Sequence, residues 1–339
     1  MRKFIKTHFA ALLVAMTVPA VGAAAEITEW RVNSLLHPKL FGESAWVFAD
    51  AVDAETSGAF RMEIHDQLIM DVDAFEALKR GLVDAVWGSP GHHYREDPSL
   101  ILFGGFPFGP DQEVFSQWMH GGGNEILQEI YARHGLRSVY CGALPAETGG
   151  WFAEPVTELK DLERLRMRAF GYGARSLAEL GATTFALPAR DIYPAFQTGI
   201  ITAAEFAMPS IDVELSLWEV APILMESGWQ QPATALEILM TEITWLSLSD
   251  EKREAIRTAC GEVAEWAETD AVALQENARA QFAAQGVQFA AWPSPVLSAL
   301  EMAWEQVILS DAAANADIGR VWADYRDFLA EERPDAQAD

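Results

Sequence analysis

The chain has 339 residues, 50% of them hydrophobic and 22% charged, and its 24 Lys+Arg against 50 Asp+Glu give a formal net charge of −26. That length and apolar content suffice for two lobes of ordinary domain size, and the acid excess excludes a nucleic-acid partner, which needs clustered cations. The two cysteines, Cys141 and Cys260, make no disulfide framework and no CxxC zinc motif, and nothing in their spacing shows whether they meet.

Arg2, Lys3 and Lys6 precede an apolar run from Phe9 to about Gly22, and Ala23, Ala24 and Ala25 lead into Glu26. A charged start, a short apolar stretch and an Ala-x-Ala end predict a secretory signal peptide over residues 1–25 and a periplasmic mature chain. The run is short for a membrane span of about 20 residues, and no Cys follows it for lipid attachment. The later apolar stretch Leu100–Phe108 is broken by Gly and Pro.

Thr28–Leu36 reads as a strand, Phe41–Ala54 as a helix, Phe60–His65 as a strand, Ala74–Arg80 as a helix stopped by Gly81, and Leu82–Trp87 as a strand. Strands alternating with helices across short Gly breaks predict an α/β fold with largely parallel pairing. The second half repeats part of this. Phe75-Glu-Ala-Leu-Lys-Arg-Gly81-Leu-Val-Asp-Ala-Val-Trp87 resembles Tyr193-Pro-Ala-Phe-Gln-Thr-Gly199-Ile-Ile-Thr-Ala-Ala-Glu205. Aligning Gly81 with Gly199 sets Trp87 opposite Glu205, each at the C-terminal end of a strand, where open α/β sheets bind ligands. A chance recurrence of a common helix-to-strand unit explains the pattern equally well at this level.

Ser249–Gln285 then reads as one long helix with Ser249 as N-cap, about 36 residues reaching roughly 54 Å, longer than one small lobe. A helix bracing both lobes fits its irregular apolar spacing better than a coiled coil. Val287–Trp292 reads as a strand, followed by helices and an acidic tail. The expected division is residues 26–150 mainly in a first lobe, 151–240 mainly in a second with strands crossing between them, the brace at 249–285, a packing segment at 286–332 and the tail at 333–339.

Four segments taken together carry a family resemblance: Glu147-Thr-Gly-Gly-Trp151-Phe152, Leu165-Arg-Met-Arg168-Ala-Phe-Gly171, Ile192-Tyr-Pro-Ala-Phe-Gln-Thr-Gly199 running into Ala204-Glu205-Phe206, and Gly228-Trp229-Gln230-Gln231. In this order they resemble the solute-binding subunits of tripartite ATP-independent periplasmic (TRAP) transporters, nearest the branch that binds 2-oxo acids and lactate. The resemblance implies a two-lobed periplasmic-binding-protein fold, each lobe a mixed, mostly parallel sheet flanked by helices, with the long helix spanning both. It implies a receptor rather than an enzyme, monomeric or dimeric, that delivers a small polar solute to small and large membrane permease subunits. Arg168 stands where the family places an arginine on the substrate carboxylate, a pairing suited to the planar guanidinium. Glu147, Glu205-Phe206 and Gln231 stand where the oxo-acid branch holds a metal cation. Here the family's first Gln is Glu147, its Trp is Phe206 and its second Glu is Gln231. The carboxylate count is kept, Phe206 serves if only its backbone carbonyl is used, and the oxygen-rich set suits Ca²⁺ or Na⁺. The same acids suit the ammonium of a small amino alcohol such as an ethanolamine-like compound, or of a zwitterion, and the residues leave that alternative open. Trp87, Trp151 and Trp229, near the motif strand ends, are candidates for an aromatic lining.

Other motifs lead elsewhere and stop. His120-Gly-Gly-Gly123 resembles an esterase oxyanion loop, but the chain has no Gly-x-Ser-x-Gly elbow. Gly171-Tyr-Gly173 lacks the third glycine of a dinucleotide loop. His92-His93 do not share a helical face and are expected in a loop near the cleft. No nucleophile with an identifiable base points to an enzyme, whereas a periplasmic sensory module would share the signal peptide and the lobes.

Overall fold

The computed structural model describes residues 27–36, 43–66, 68–69 and 72–332. The expected signal peptide and acidic tail lie outside the described residues.

The strands are β1 (Thr28–Ser34), β2 (Phe60–His65), β3 (Ala85–Gly88), β4 (Leu136–Leu144), β5 (Gly150–Phe152), β6 (Arg166–Arg168), β7 (Thr183–Phe185), β8 (Ala203–Ala204), β9 (Ile223–Met225), β10 (Thr234–Thr241) and β11 (Gln288–Ala290). They form two mixed sheets. The first has the order β2-β1-β3-β10-β4 and the second β11-β9-β5-β8-β6-β7. In each, one strand runs against the rest: β10 is antiparallel to β3 and β4, and β5 is antiparallel to β8 and β9. The remaining pairings are parallel.

Both sheets are covered on both faces, so their strands read as apolar runs rather than as alternation. Along β10, Leu236, Ile238 and Met240 enter one core with Trp87 and Phe48, while Ala235 and Leu239 enter the other with Val86 and Phe103. In the second sheet Phe152, Met167 and Ile223 face one core, and Trp151, Ala204 and Leu224 the other.

The covering helices are α1 (Glu43–Glu55), α2 (Ala74–Lys79), α3 (Gln112–Trp118), α4 (Asn124–Arg133), α5 (Gly171–Glu179), α6 (Ala189–Gln197), α7 (Pro209–Asp212), α8 (Glu242–Ser247), α9 (Asp250–Glu268), α10 (Asp270–Ala284), α11 (Ser294–Ala314) and α12 (Ala316–Glu332). The internal repeat is a real structural recurrence. After α2 and α6 the glycines take φ of +67° and +70°, and Leu82 N–H bonds Ala77 C=O just as Ile200 N–H bonds Ala195 C=O. Both are helix ends closed by a left-handed residue, which glycine adopts without steric cost.

The stretch expected as one long helix is two helices meeting at Thr269, whose φ −116° and ψ −79° leave the helical geometry. Ser249 does cap α9, accepting from Lys252 N–H. α9 packs on α1 and β4 of the first sheet, and α10 packs on α7 beside the second. The brace therefore changes lobe at a kink, because each half follows its own lobe's surface. Cys141 on β4 and Cys260 on α9 are joined in a disulfide, a pairing that the sequence spacing did not reveal.

The chain passes from the first sheet to the second between β4 and β5, and back between β9 and β10. The stretch 151–240, expected mainly in the second lobe, thus returns its last strand, β10, to the first sheet. The two crossings run side by side, with Glu147 N–H bonded to Gln231 C=O at 3.1 Å.

Candidate functional site

A cleft of ≈ 670 Å³ lies between the lobes where these crossings meet, and Glu147, Arg168, Glu205, Phe206 and Gln231 all line it. Each is placed by local structure. Arg168 is the last residue of β6, and Glu205 and Phe206 follow directly on β8, which pairs parallel with β6. Residues past the strand ends escape the covered faces of the sheet and reach the crevice, as in other open α/β sheets. Glu147 and Gln231 lie on the two crossings. Gly228 allows the crossings to touch, since a Cβ there would sit 2.1 Å from the Glu147 carbonyl oxygen.

Arg168 is fixed before any ligand arrives. Its Nε donates to the Leu187 carbonyl at 3.2 Å, and its Nη1 donates to the Glu205 carbonyl at 2.6 Å and pairs with the Glu205 carboxylate at 3.2 Å. The guanidinium also lies over the Phe206 ring, 5.0 Å from its centroid. Among the described residues Nη2 has no hydrogen-bond partner, so it is the edge left to meet an anion. The other Glu205 oxygen accepts from Phe170 N–H at 2.6 Å. Burial raises the Glu205 carboxyl above its usual range, opposed by Arg168 and by the Phe170 bond.

Glu147 forms no ion pair of its own among the described residues. Its side chain is buried, and desolvation drives its carboxyl well above the usual range, helped by the negative charges of Glu205 and Asp212 and opposed by Arg168 and a bond from Gln230. Asp212 stands behind this pair, fully buried, its Oδ2 accepting from Trp151 Nε1 at 2.8 Å and from Thr148 Oγ1 at 3.2 Å. Among the described residues its Oδ1 has no hydrogen-bond partner, and burial pushes the carboxyl to about 8. Arg190 also lines the cleft but is largely exposed and paired with Asp191, so the buried part of the crevice sets three acids against Arg168, itself already paired with Glu205.

A hard cation fits that imbalance. Glu147 and Glu205 would supply carboxylates, Phe206 a carbonyl, and Gln231 an amide oxygen, because its Nε2 is engaged in donating to Thr234 Oγ1 at 2.6 Å. This oxygen set suits Ca²⁺ or Na⁺. Among the described residues no cluster of three or more His, Cys, Asp or Glu side chains gathers to hold a metal, so a cation here would depend on the Phe206 carbonyl and the Gln231 amide as well as the two acids.

Three candidates from the sequence do not reach the cleft. Trp87 is fully buried, stacks on Phe48 and donates to Ser44 Oγ at 3.1 Å. Trp151 is fully buried against Phe282 and donates to Asp212. Trp229 stacks on Phe108 in the second lobe's core. The first two lie inside strands of sheets covered on both faces, which directs them into cores. Conversely, Gln230 and Asp212 were missed, whereas the Ser89–His92 turn lies at the cleft, where the loop holding His92 was expected. Gln230 lay within a recognised motif; Asp212 carries no local signal, since its partners are 61 and 64 residues away. The His120–Gly123 segment is an irregular helical turn between α3 and α4, away from the cleft lining.

Comparison with known proteins agrees with this architecture. The family model described as bacterial extracellular solute-binding protein, family 7, matches residues 34–314. A monocarboxylate 2-oxoacid-binding periplasmic protein of Nostoc sp. is 26% identical over 314 residues, covering 91% of this chain and 86% of the relative. A TRAP periplasmic solute-binding protein from Colwellia psychrerythraea, solved with bound calcium and pyruvate, superposes with a TM-score of 0.84 at 22% identity, covering 92% of this chain and 98% of that one. A TRAP solute-binding protein from Bordetella bronchiseptica, with copurified calcium and picolinate, gives a TM-score of 0.84 at 25% identity, covering 92% and 96%. With two lobes, a cleft at their crossings and a family match along most of its length, the chain belongs to the bacterial extracellular solute-binding proteins of family 7, the solute receptors of TRAP transporters, and is not an enzyme.

Proposed function

We propose that this receptor captures a short 2-oxo or 2-hydroxy carboxylate together with Ca²⁺ or Na⁺, and delivers it in the periplasm to small and large membrane permease subunits. The observation that carries the reading is the juxtaposition of Arg168, anchored with Nη2 open, and Glu147, a buried acid without a cation. Arg168 holds the ligand's carboxylate. Glu147, Glu205, the Phe206 carbonyl and Gln231 hold the cation, which in turn attracts the ligand's second oxygen. The bound calcium and small acids of the Colwellia and Bordetella proteins support this assignment, as does the monocarboxylate 2-oxoacid binding for which the Nostoc relative is named. The basic-apolar-Ala pattern of residues 1–25 supports export, and among the described residues no helix is long and apolar enough to cross a membrane.

The ammonium alternative has less support. An amine would draw on the same two acids, Glu147 and Glu205, but by itself would leave Arg168 Nη2 without an anion. A thermal-shift screen separates the two. Pyruvate, lactate and malonate should raise Tm in calcium buffer and lose most of that effect in chelator, while ethanolamine should have none. A chelator-insensitive shift with ethanolamine alone would replace the carboxylate reading.

A further inference from the structure

The charged groups of the cleft all come from the second lobe or from the crossings. The facing wall is built from the first lobe, and among the described residues, apart from apolar Leu35, Leu36, Ile101 and Pro107 and from Thr234, whose hydroxyl already accepts from Gln231, it presents one short polar turn, Ser89–His92, at the end of β3. Ser89 N–H donates to His92 Nδ1 at 3.2 Å. A nitrogen that accepts carries no proton, so the neutral ring holds its hydrogen on Nε2. The Nδ1 bond from a backbone N–H and the absence of a paired carboxylate among the described residues favour the neutral ring, in the same direction as the lowering to about 4 by the buried segment around it. Its surface is open to the cleft, and Nε2 has no hydrogen-bond partner among the described residues. Beside it, the Ser89 hydroxyl lines the same cleft and is 2% exposed; it faces the His92 backbone N–H across the turn in a capping-box arrangement, and its own proton finds no acceptor among the described residues. Buried polar atoms are normally satisfied, so a hydroxyl proton left without an acceptor at a cleft wall points to a ligand.

We propose that Ser89 Oγ and His92 Nε2 form a neutral hydrogen-bonding wall that recognises an oxygen on the ligand's far end, so that the preferred substrates are 2-oxo or 2-hydroxy acids whose tail carries a hydroxyl, carbonyl or carboxylate. This rests on the reading that the ligand's carboxylate and 2-oxygen are engaged at Arg168 and the cation. With that end held on the second lobe, the tail faces the first. An alkyl tail would leave both groups unpaired in a closing, drying cleft, which is the arrangement by which a polar pocket rejects an apolar analogue.

The test is calorimetry in calcium buffer with two matched pairs: pyruvate against 3-hydroxypyruvate, and 2-oxopentanoate against 2-oxoglutarate. The wild type should bind the oxygen-tailed member at least about tenfold more tightly in one pair or both. Ser89→Ala and His92→Phe should each pull that ratio toward one while changing the alkyl-tailed affinity little, and His92→Gln, which keeps a donor, should retain part of it. Ser89→Ala is the smallest change and serves if a His92 variant folds poorly. A wild-type ratio at or below one in both pairs, or a ratio unmoved by every variant, overturns the proposal while leaving the carboxylate site standing. Absence of binding by all four acids overturns the carboxylate reading, and this inference with it.

Discussion

Replacing Glu147 by Gln should change the apo protein and the loaded protein in opposite directions. Glu147 is 7% exposed and faces the charges of Glu205 and Asp212 with no cation of its own. Its raised carboxyl means that ionising it opposes folding, so at pH 8 the isosteric amide should raise the apo Tm. The same change removes a charged ligand from the cation. Hydrogen bonds to charged groups contribute about 1.5–3 kcal/mol, which corresponds to roughly a 10- to 150-fold weaker Kd for the cation and acid together. At a ligand concentration of about 100 times the wild-type Kd, the wild type gains about 2.7 kcal/mol, whereas a hundredfold weaker variant gains about 0.4 kcal/mol. At about 2–4 °C per kcal/mol, that is a shift of roughly 5–11 °C against roughly 1–2 °C. Differential scanning fluorimetry with and without calcium and pyruvate reads both signs in one experiment. An apo Tm that falls or stays put, together with an undiminished ligand shift, would refute the account of Glu147.

Arg168→Lys keeps the charge but cannot reach the Leu187 carbonyl, the Glu205 carbonyl and a ligand at once, so calorimetry should show pyruvate affinity reduced by roughly 10- to 150-fold with folding largely kept. Arg168→Ala should additionally lower the urea midpoint, because it strands the nearly buried Glu205 carboxylate. Apo stability should fall as pH rises from about 4 to about 8. Over that window Asp212, pushed to about 8, keeps its proton only in the folded state, so the folded chain binds more protons than the unfolded one. Asp212→Asn should flatten that part of the pH profile in denaturation measurements. Replacing Cys141 and Cys260 by Ser removes a link between residues 119 apart and should cost about 2–5 kcal/mol in urea denaturation, with pyruvate affinity unchanged because both lie in the first lobe's core.

What the sequence made legible was whatever depends on local order. Helix ends at Gly81 and Gly199, the α/β alternation and the cap at Ser249 are written in contiguous residues, and they recur in the structure where expected. One charged side chain of the cleft was legible for a related reason. Glu205 follows a strand directly, so its place in the chain alone points to the crevice, whereas Arg168, Glu147, Phe206 and Gln231 were legible only through the family resemblance. Direction across a sheet was not legible. Trp87 and Trp151 sit near the same strand ends but inside the ladders, and only the knowledge that both faces are covered shows that they point into cores. Long-range pairings were also out of reach. The Cys141–Cys260 bridge, the kink at Thr269 and the Asp212 contacts with Trp151 and Thr148 depend on packing between distant segments, which no local pattern records.

The central claim is that the cleft takes a carboxylate and a cation as a unit. Its most direct test is calorimetric titration of pyruvate into chelator-stripped wild-type protein in sodium-free buffer, repeated after adding calcium or sodium. The account predicts weak binding or none in the stripped protein, saturable binding once either cation is restored, and affinity that rises with pH as Glu147 loses its proton. Tight binding of pyruvate that is the same in stripped and in cation-loaded protein would contradict it.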